Sequence, residues 1–176
     1  TARAQSGASQ TALARSVLTA LLASPHFIYK SESSRLTDIE LAHRLSYFLW
    51  NSVPDSALLR AAQTGTLRKS LDAEVERMLD DPKAQRFVED FTTQWLQLRK
   101  VGMFPPDKKV YPNYDAHLEQ SMVRETIEFF HEVLHEGLTL REFLDSDWTM
   151  VNPRLARFYG IPGVTKAAGA KKAPAK

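Results

Sequence analysis

Helix-start signals recur along this chain at short intervals: a threonine three residues ahead of a glutamate at Thr37 and Glu40, Asp81 before Pro82, Asp115 ahead of a long apolar run, Thr139 with Glu142, and Asn152 before Pro153. Each has a physical role. A side-chain oxygen at the cap accepts a hydrogen bond from a backbone N–H that has no partner within the helix, and a glutamate three residues on can reach back to the cap. Proline at the first helical position gives up an N–H that would be unpaired anyway. Between these signals apolar residues return every three or four positions, and alternation of period two is scarce. A chain punctuated in this way is predicted to be all-α, a single-domain bundle of about seven to eight helices.

The first helix is expected through "TALARSVLTALLAS", stopping near Pro25, with "HFIYKSE" an extended connector. Thr37 opens a second helix over "LAHRLSYFLW", whose apolar side carries Leu41, Leu45, Phe48 and Leu49. Pro54 and Asp55 begin a short third helix that Gly65 can end in a left-handed cap. Ser70 opens "LDAEVERMLDD", and Asp81-Pro82 starts "KAQRFVEDFTTQWLQL", where Phe87, Phe91, Trp95 and Leu98 have the spacing of a core stripe. "GMFPPDKKVYPNYD" is too rich in turn residues for a helix and reads as a surface connection. Asp115 caps the longest helix, which runs to Gly137; a short helix over "LREFLDS" and another over "RLARFYG", ended by Gly160, follow. The domain organisation read from this is a flexible N-terminus over 1–10, an all-helical domain over 11–164, and a Lys/Ala-rich tail over 165–176 whose composition cannot bury a core and is expected to be disordered.

Composition removes several function classes. The 23 basic and 21 acidic residues are interspersed, so no basic face of the kind that holds nucleic acid is expected. The chain has no cysteine, which excludes disulfides, thiolate metal sites, thiol nucleophiles and the C-x-x-C-H attachment of c-type haem. No apolar run approaches the length of a membrane span, and "TARAQSGASQ" lacks the hydrophobic region of a signal peptide, so a soluble chain without an address is expected. There is no G-x-S-x-G and no glycine loop of the phosphate-cradling kind.

The sharpest motif is "HEVLH", His131 to His135, the H-E-x-x-H pattern in which two imidazoles one helical turn apart bind zinc and the glutamate, here Glu132, serves as general base. At about 100° per residue from Met122, the residues Val123, Ile127, Phe129, Phe130, Val133 and Leu134 share one apolar sector. His131 and His135 fall outside it, in the stripe of Arg124 and Glu128, facing solvent or the core boundary. A catalytic zinc needs a third protein ligand. The metzincin continuation would require Gly at 138 and His at 141, where this chain has Leu138 and Arg141, leaving Glu142, Asp145 and Asp147 as distant alternatives. Zinc is therefore disfavoured, with His131, His135 and Glu132 retained as the alternative metal and catalytic set.

Other candidates carry less. His26, after a helix end, could ligate a haem or metal held by another domain or could satisfy a terminal carbonyl. His43 and Tyr47 stand one turn apart on a helix edge. Asp145, Asp147 and Asn152 offer oxygen ligands without the density of a calcium loop, and capping explains Asn152. Trp50, Trp95 and Trp148 could form a sugar-stacking platform, but two of them lie in apolar helical stripes, which points to core packing.

The phrases "LASPHFIYKSE", "LAHRLSYFLWNSVPDSALL", "RMLDDPKAQRFVEDFTTQWLQL", "YPNYDAHLEQSMVRETIEFF" and "FLDSDWTMVNPRLARFYGIPGV" together resemble a planctomycete-specific domain of unknown function, found in large, often exported, cytochrome-c-associated bacterial proteins. The resemblance spans about 11 to 164. Its "ET..FF" pattern matches Glu125, Thr126, Phe129 and Phe130, while its "HYGI"-like ending is here "FYGI" and runs into the lysine-alanine tail. It brings no catalytic residues. What it implies is a non-catalytic scaffold or interaction module, periplasmic or otherwise exported, whose partners are adjoining domains of a longer protein or a cytochrome-type redox partner. The alternative is a zinc-dependent hydrolase using the "HEVLH" helix. No cofactor is expected within the chain itself.

Overall fold

The computed structural model describes residues 9–29, 35–164 and 171–174. Helix α1 (Gln10–Leu22) starts where Ser9 Oγ accepts from the Ala12 N–H, and α2 (Pro25–Ile28) is a single turn. The extended connector expected from residue 26 is thus helical up to Ile28, since α1 ends at its cap Ala23 and Ser24 and Pro25 start a new turn, with proline at the first helical position. Residues 30–34 of that connector, 1–8 of the expected flexible N-terminus, and 165–170 and 175–176 of the tail lie outside the described residues.

Helix α3 (Asp38–Trp50) carries the complete capping box, with Thr37 N donating to Glu40 Oε2 at 2.7 Å and Glu40 N donating to Thr37 Oγ1 at 3.2 Å. It ends on Asn51 at φ 48°. Helix α4 (Ser56–Gln63) is capped by Asp55, and Gly65 at φ 67° turns the chain as its sequence position predicts. Helix α5 (Leu71–Asp80) closes the first core, in which Ala42, Leu49, Trp50, Leu58, Ala62, Leu67 and Met78 are buried together. The Trp50 indole N–H donates to Met78 O at 2.8 Å, and Lys83 Nζ lies 4.3 Å over its ring. Indole burial is favourable here because its polar handle is satisfied. Arg77 joins Asp55 (2.9 Å) to Glu74 (2.8 Å), locking the start of α4 to α5. Burial alone would raise the Asp55 pKa, but the hydrogen bonds from Leu58 N–H and Arg77 prevail and leave it lowered.

Asp81 and Pro82 initiate a 3-10 turn, Pro82–Ala84, that runs into α6 (Gln85–Trp95); Gln97 at φ 54° then breaks the helix ahead of its expected end. Helix α7 (Ala116–His135) is the spine of the remainder. Asp115 caps it, and Gly137 at φ 60° follows its end. Along its length α7 contributes Leu118 to a cluster with Val151 and Leu155, Ile127 and Phe130 to a cluster with Val88 of α6, and Val133 to one with Trp148 and Met150.

The fold is predominantly helical, with one departure from the all-α expectation. Strand β1 (Trp148–Val151) pairs antiparallel with β2 (Lys171–Pro174) in the register Trp148↔Pro174 to Val151↔Lys171. Those four residues belong to the tail expected to be disordered. Pairing needs backbone groups rather than large side chains, and the segment adds Ala173 to the Leu118 cluster and Lys172 Nζ over the Trp148 ring at 4.0 Å. The short helix expected over "LREFLDS" is a 3-10 turn, Leu140–Phe143, without a side-chain cap at Thr139. Its Glu142 carboxylate accepts from the Trp148 indole N–H at 2.8 Å instead of completing a capping box.

Helix α8 (Pro153–Tyr159) begins at Asn152, whose side chain accepts from Leu155 N–H and donates to Ser121 Oγ at 2.8 Å. Glu125 fixes this corner to α7, accepting from Thr149 Oγ1 on one oxygen and from Tyr159 OH at 2.9 Å on the other. Burial and the bond to Glu125 push the Tyr159 hydroxyl up to about 12.

Candidate functional site

The helical phase of α7 decides where "HEVLH" lies. Ile127, Phe130 and Val133 are buried, so His131, one residue beyond Phe130, sits at the margin of the core, and His135 is largely exposed. The two rings stack with centroids 5.6 Å apart and planes at 21°. They look into an open cleft of about 420 Å³ between α5 and α7, whose other wall includes Glu76, Leu79 and Asp80. His135 Nδ1 is 3.3 Å from Glu136 Oε1, its own neighbour in sequence. Glu132 faces a different way: its Oε1 lies 3.8 Å from Lys172 Nζ on β2.

This arrangement brings the two imidazoles together but separates the glutamate from the role the motif assigns it. A general base for metal-bound water must lie within hydrogen-bond reach of that water. Among the described residues no group of three His, Cys, Asp or Glu side chains converges as a metal site, so the third ligand the motif requires is not assembled. Arg124, in the histidines' stripe, is occupied by Glu89 at 3.1 Å and Glu128 at 2.6 Å. Asp145 pairs with Arg141 at 2.9 Å and Asn152 is a helix cap, so neither contributes to the pair. His26 falls within α2, beside the exposed Phe27 and Ile28. His43 and Tyr47 stack at 6.4 Å along α3.

A second cleft, about 590 Å³, opens between α3 and α6 and is lined by Tyr47, Phe48, Asn51, Phe87, Asp90, Phe91, Gln94 and Trp95. Sequence spacing assigns Phe91 and Trp95 to a core stripe, and the structure corrects this: both are exposed, while Trp50 and Trp148 are buried. The reason is a shift of one residue round α6. Helix α7 covers Val88, and Thr92 is fully buried beside it, so the neighbouring row Phe87, Phe91, Trp95 points outward as it climbs. Rings along the row touch, with centroids 5.3 Å apart for Phe87 and Phe91 and 5.7 Å for Phe91 and Trp95. The row keeps one edge on its neighbours, since the Phe91 ring lies 5.5 Å from that of Phe130 on α7 and the Trp95 ring 5.8 Å from that of Phe143.

No helix among the described residues is long and apolar enough to cross a membrane. A family model described as PSD4, a protein of unknown function (DUF1592), matches residues 36–161, most of the chain. No curated protein and no solved structure matches it.

Proposed function

We propose that this chain, which belongs to the PSD4 family of proteins of unknown function (DUF1592), is a non-catalytic helical interaction module of a larger, exported, cytochrome-c-associated protein, and that α1 and α2 pack on an adjoining domain. One observation carries the reading. No residue of α1 is buried, and Val17, Leu18, Leu21 and Leu22 on it and Phe27, Ile28 and Tyr29 after it are each more than half exposed. Contiguous apolar surface of this kind on a folded protein marks an interaction site. These residues precede the segment that the family model matches, 36–161. The resemblance of the chain's phrases to domains in cytochrome-c-associated proteins supports the wider context.

Association of the chain with its adjoining domain, followed by size-exclusion chromatography, tests this. The double substitution Leu18→Glu and Leu21→Glu should abolish the complex and leave the melting temperature of the body unchanged, because neither side chain is buried in it. Association that survives both substitutions, or turnover of a defined substrate that is lost in His131→Ala, would overturn the reading.

A further inference from the structure

We propose that the cleft between α3 and α6 is a carbohydrate-binding site for an uncharged sugar chain. Its lining mixes two chemistries. Aromatic side chains are exposed along it, Tyr47 and Phe48 on α3 and Phe91 and Trp95 on α6, between 39% and 58% exposed. Polar, planar groups lie among them: Asn51 Nδ2 donates to Asp90 Oδ2 at 3.2 Å, and Gln94 lies one helical turn beyond Asp90. The Gln94 amide has no side-chain partner among the described residues. Asn51 is held in the left-handed region at φ 48°, as the cap that ends α3, and its side chain is part of the lining.

The combination discriminates among ligands. A hydrocarbon would cover the rings but strip water from Asp90 and Gln94 without replacing their hydrogen bonds, which is costly. An anion meets Asp90, the one charged side chain in the lining, and is repelled. A pyranose has a C–H face that lies flat on an aromatic ring and an edge of hydroxyls that both donate and accept. Asp90 supplies acceptors, while the Gln94 and Asn51 amides supply both kinds of group. The volume of about 590 Å³ falls within the range of ligand clefts, and a few polar groups beside aromatic walls is the usual make-up of such a site. No residue of α1 or α2 lines the cleft, and the two proposals are tested by different substitutions.

Trp95 is the reporter, because Trp50 and Trp148 are already buried. The full chain is titrated with cellohexaose, mannohexaose and xylohexaose, and separately with tetramethylammonium, by calorimetry and tryptophan emission. At least one hexasaccharide should bind with a blue shift. Trp95→Ala and Gln94→Ala should each weaken that binding roughly tenfold, and Trp95→Phe should keep part of it while removing the shift. Because Trp95 and Gln94 are exposed, near-ultraviolet dichroism of the variants should remain native apart from the Trp95 contribution. Absence of binding by all three sugars, or sugar binding indifferent to Trp95→Ala, would overturn the proposal. So would binding of tetramethylammonium alone that is lost in Asp90→Asn, which would make the cleft an organic-cation site.

Discussion

Thr92 is fully buried on α6, and its Oγ1 is a buried side-chain polar atom with no hydrogen-bond partner among the described residues. A buried hydroxyl without a partner carries its desolvation cost uncompensated. Thr92→Val keeps the shape and removes that cost, so it should stabilise the fold by about 1 kcal/mol, read as a rise in the midpoint of chemical denaturation. Tyr159 makes a prediction of opposite sign at high pH. Its pKa in the folded state is raised to about 12 from 10.0, so the folded chain holds this proton more tightly than the unfolded one. The resulting stability is fully present below pH 10 and is lost as pH rises toward 12. Tyr159→Phe should flatten the alkaline fall in melting temperature over that window, while an unchanged profile would remove Tyr159 from the account. Gly102, at φ 84°, offers a third residue-level test. A Cβ there would meet the Glu119 carboxylate, which accepts from Tyr114 OH at 3.0 Å. Gly102→Ala should therefore destabilise by about 1 kcal/mol from backbone strain alone, with further loss if the Tyr114 bond breaks.

At the level of elements, the helices with strong local signals were legible in the sequence. The Thr37–Glu40 box, the Asp55 and Asp115 caps, Asn152-Pro153 and the left-handed glycines at 65, 137 and 160 act where local chemistry places them. These features depend on residues three or four apart, and a sequence displays such neighbours directly. What failed depends on partners far along the chain. Strand β1 exists through pairing with residues 20 to 26 positions later, and Glu142 leaves its capping role for the Trp148 indole. The spacing on α6 shows an amphipathic helix, but how far neighbouring elements cover its apolar row is not local information, and Phe91 and Trp95 are exposed. For the candidate site, phase on α7 places His131 and His135 outside the apolar sector, where the structure has His131 at the core margin and His135 exposed, whereas the ion pair of Glu132 with Lys172 depends on where the tail lies. Glu125 should prove the main tie of the β1–α8 corner. Glu125→Ala removes two acceptors at once, and a loss of about 3 kcal/mol is expected for two hydrogen bonds to a charged group, measurable by chemical denaturation.

For the whole molecule, α7 spans about 30 Å and supplies side chains to three of the four core clusters among the described residues, while Phe87 of α6 packs against both the Trp50 cluster and the Val88 cluster. Residues 35–164 should therefore melt in one cooperative transition, with calorimetric and van't Hoff enthalpies equal. Acid should end it from both sides. The Asp55 carboxyl is lowered as described, and the Leu118 N–H and then Arg154 hold the Asp115 carboxyl below the ordinary aspartate value of 3.8. Both contributions are present above pH 3.8 and vanish as pH falls through the lowered values. Helix α1 stands outside this cooperative unit. Thirteen residues with none buried form a helix near the limit of what water alone sustains. Its backbone amides should then exchange hydrogen for deuterium almost as fast as those of a fluctuating peptide, while amides in the middle of α7 wait for global unfolding. Any surface that covers Leu18 and Leu21 would slow exchange in α1 and leave α7 unchanged, making this one segment a built-in gauge of whether the module is engaged.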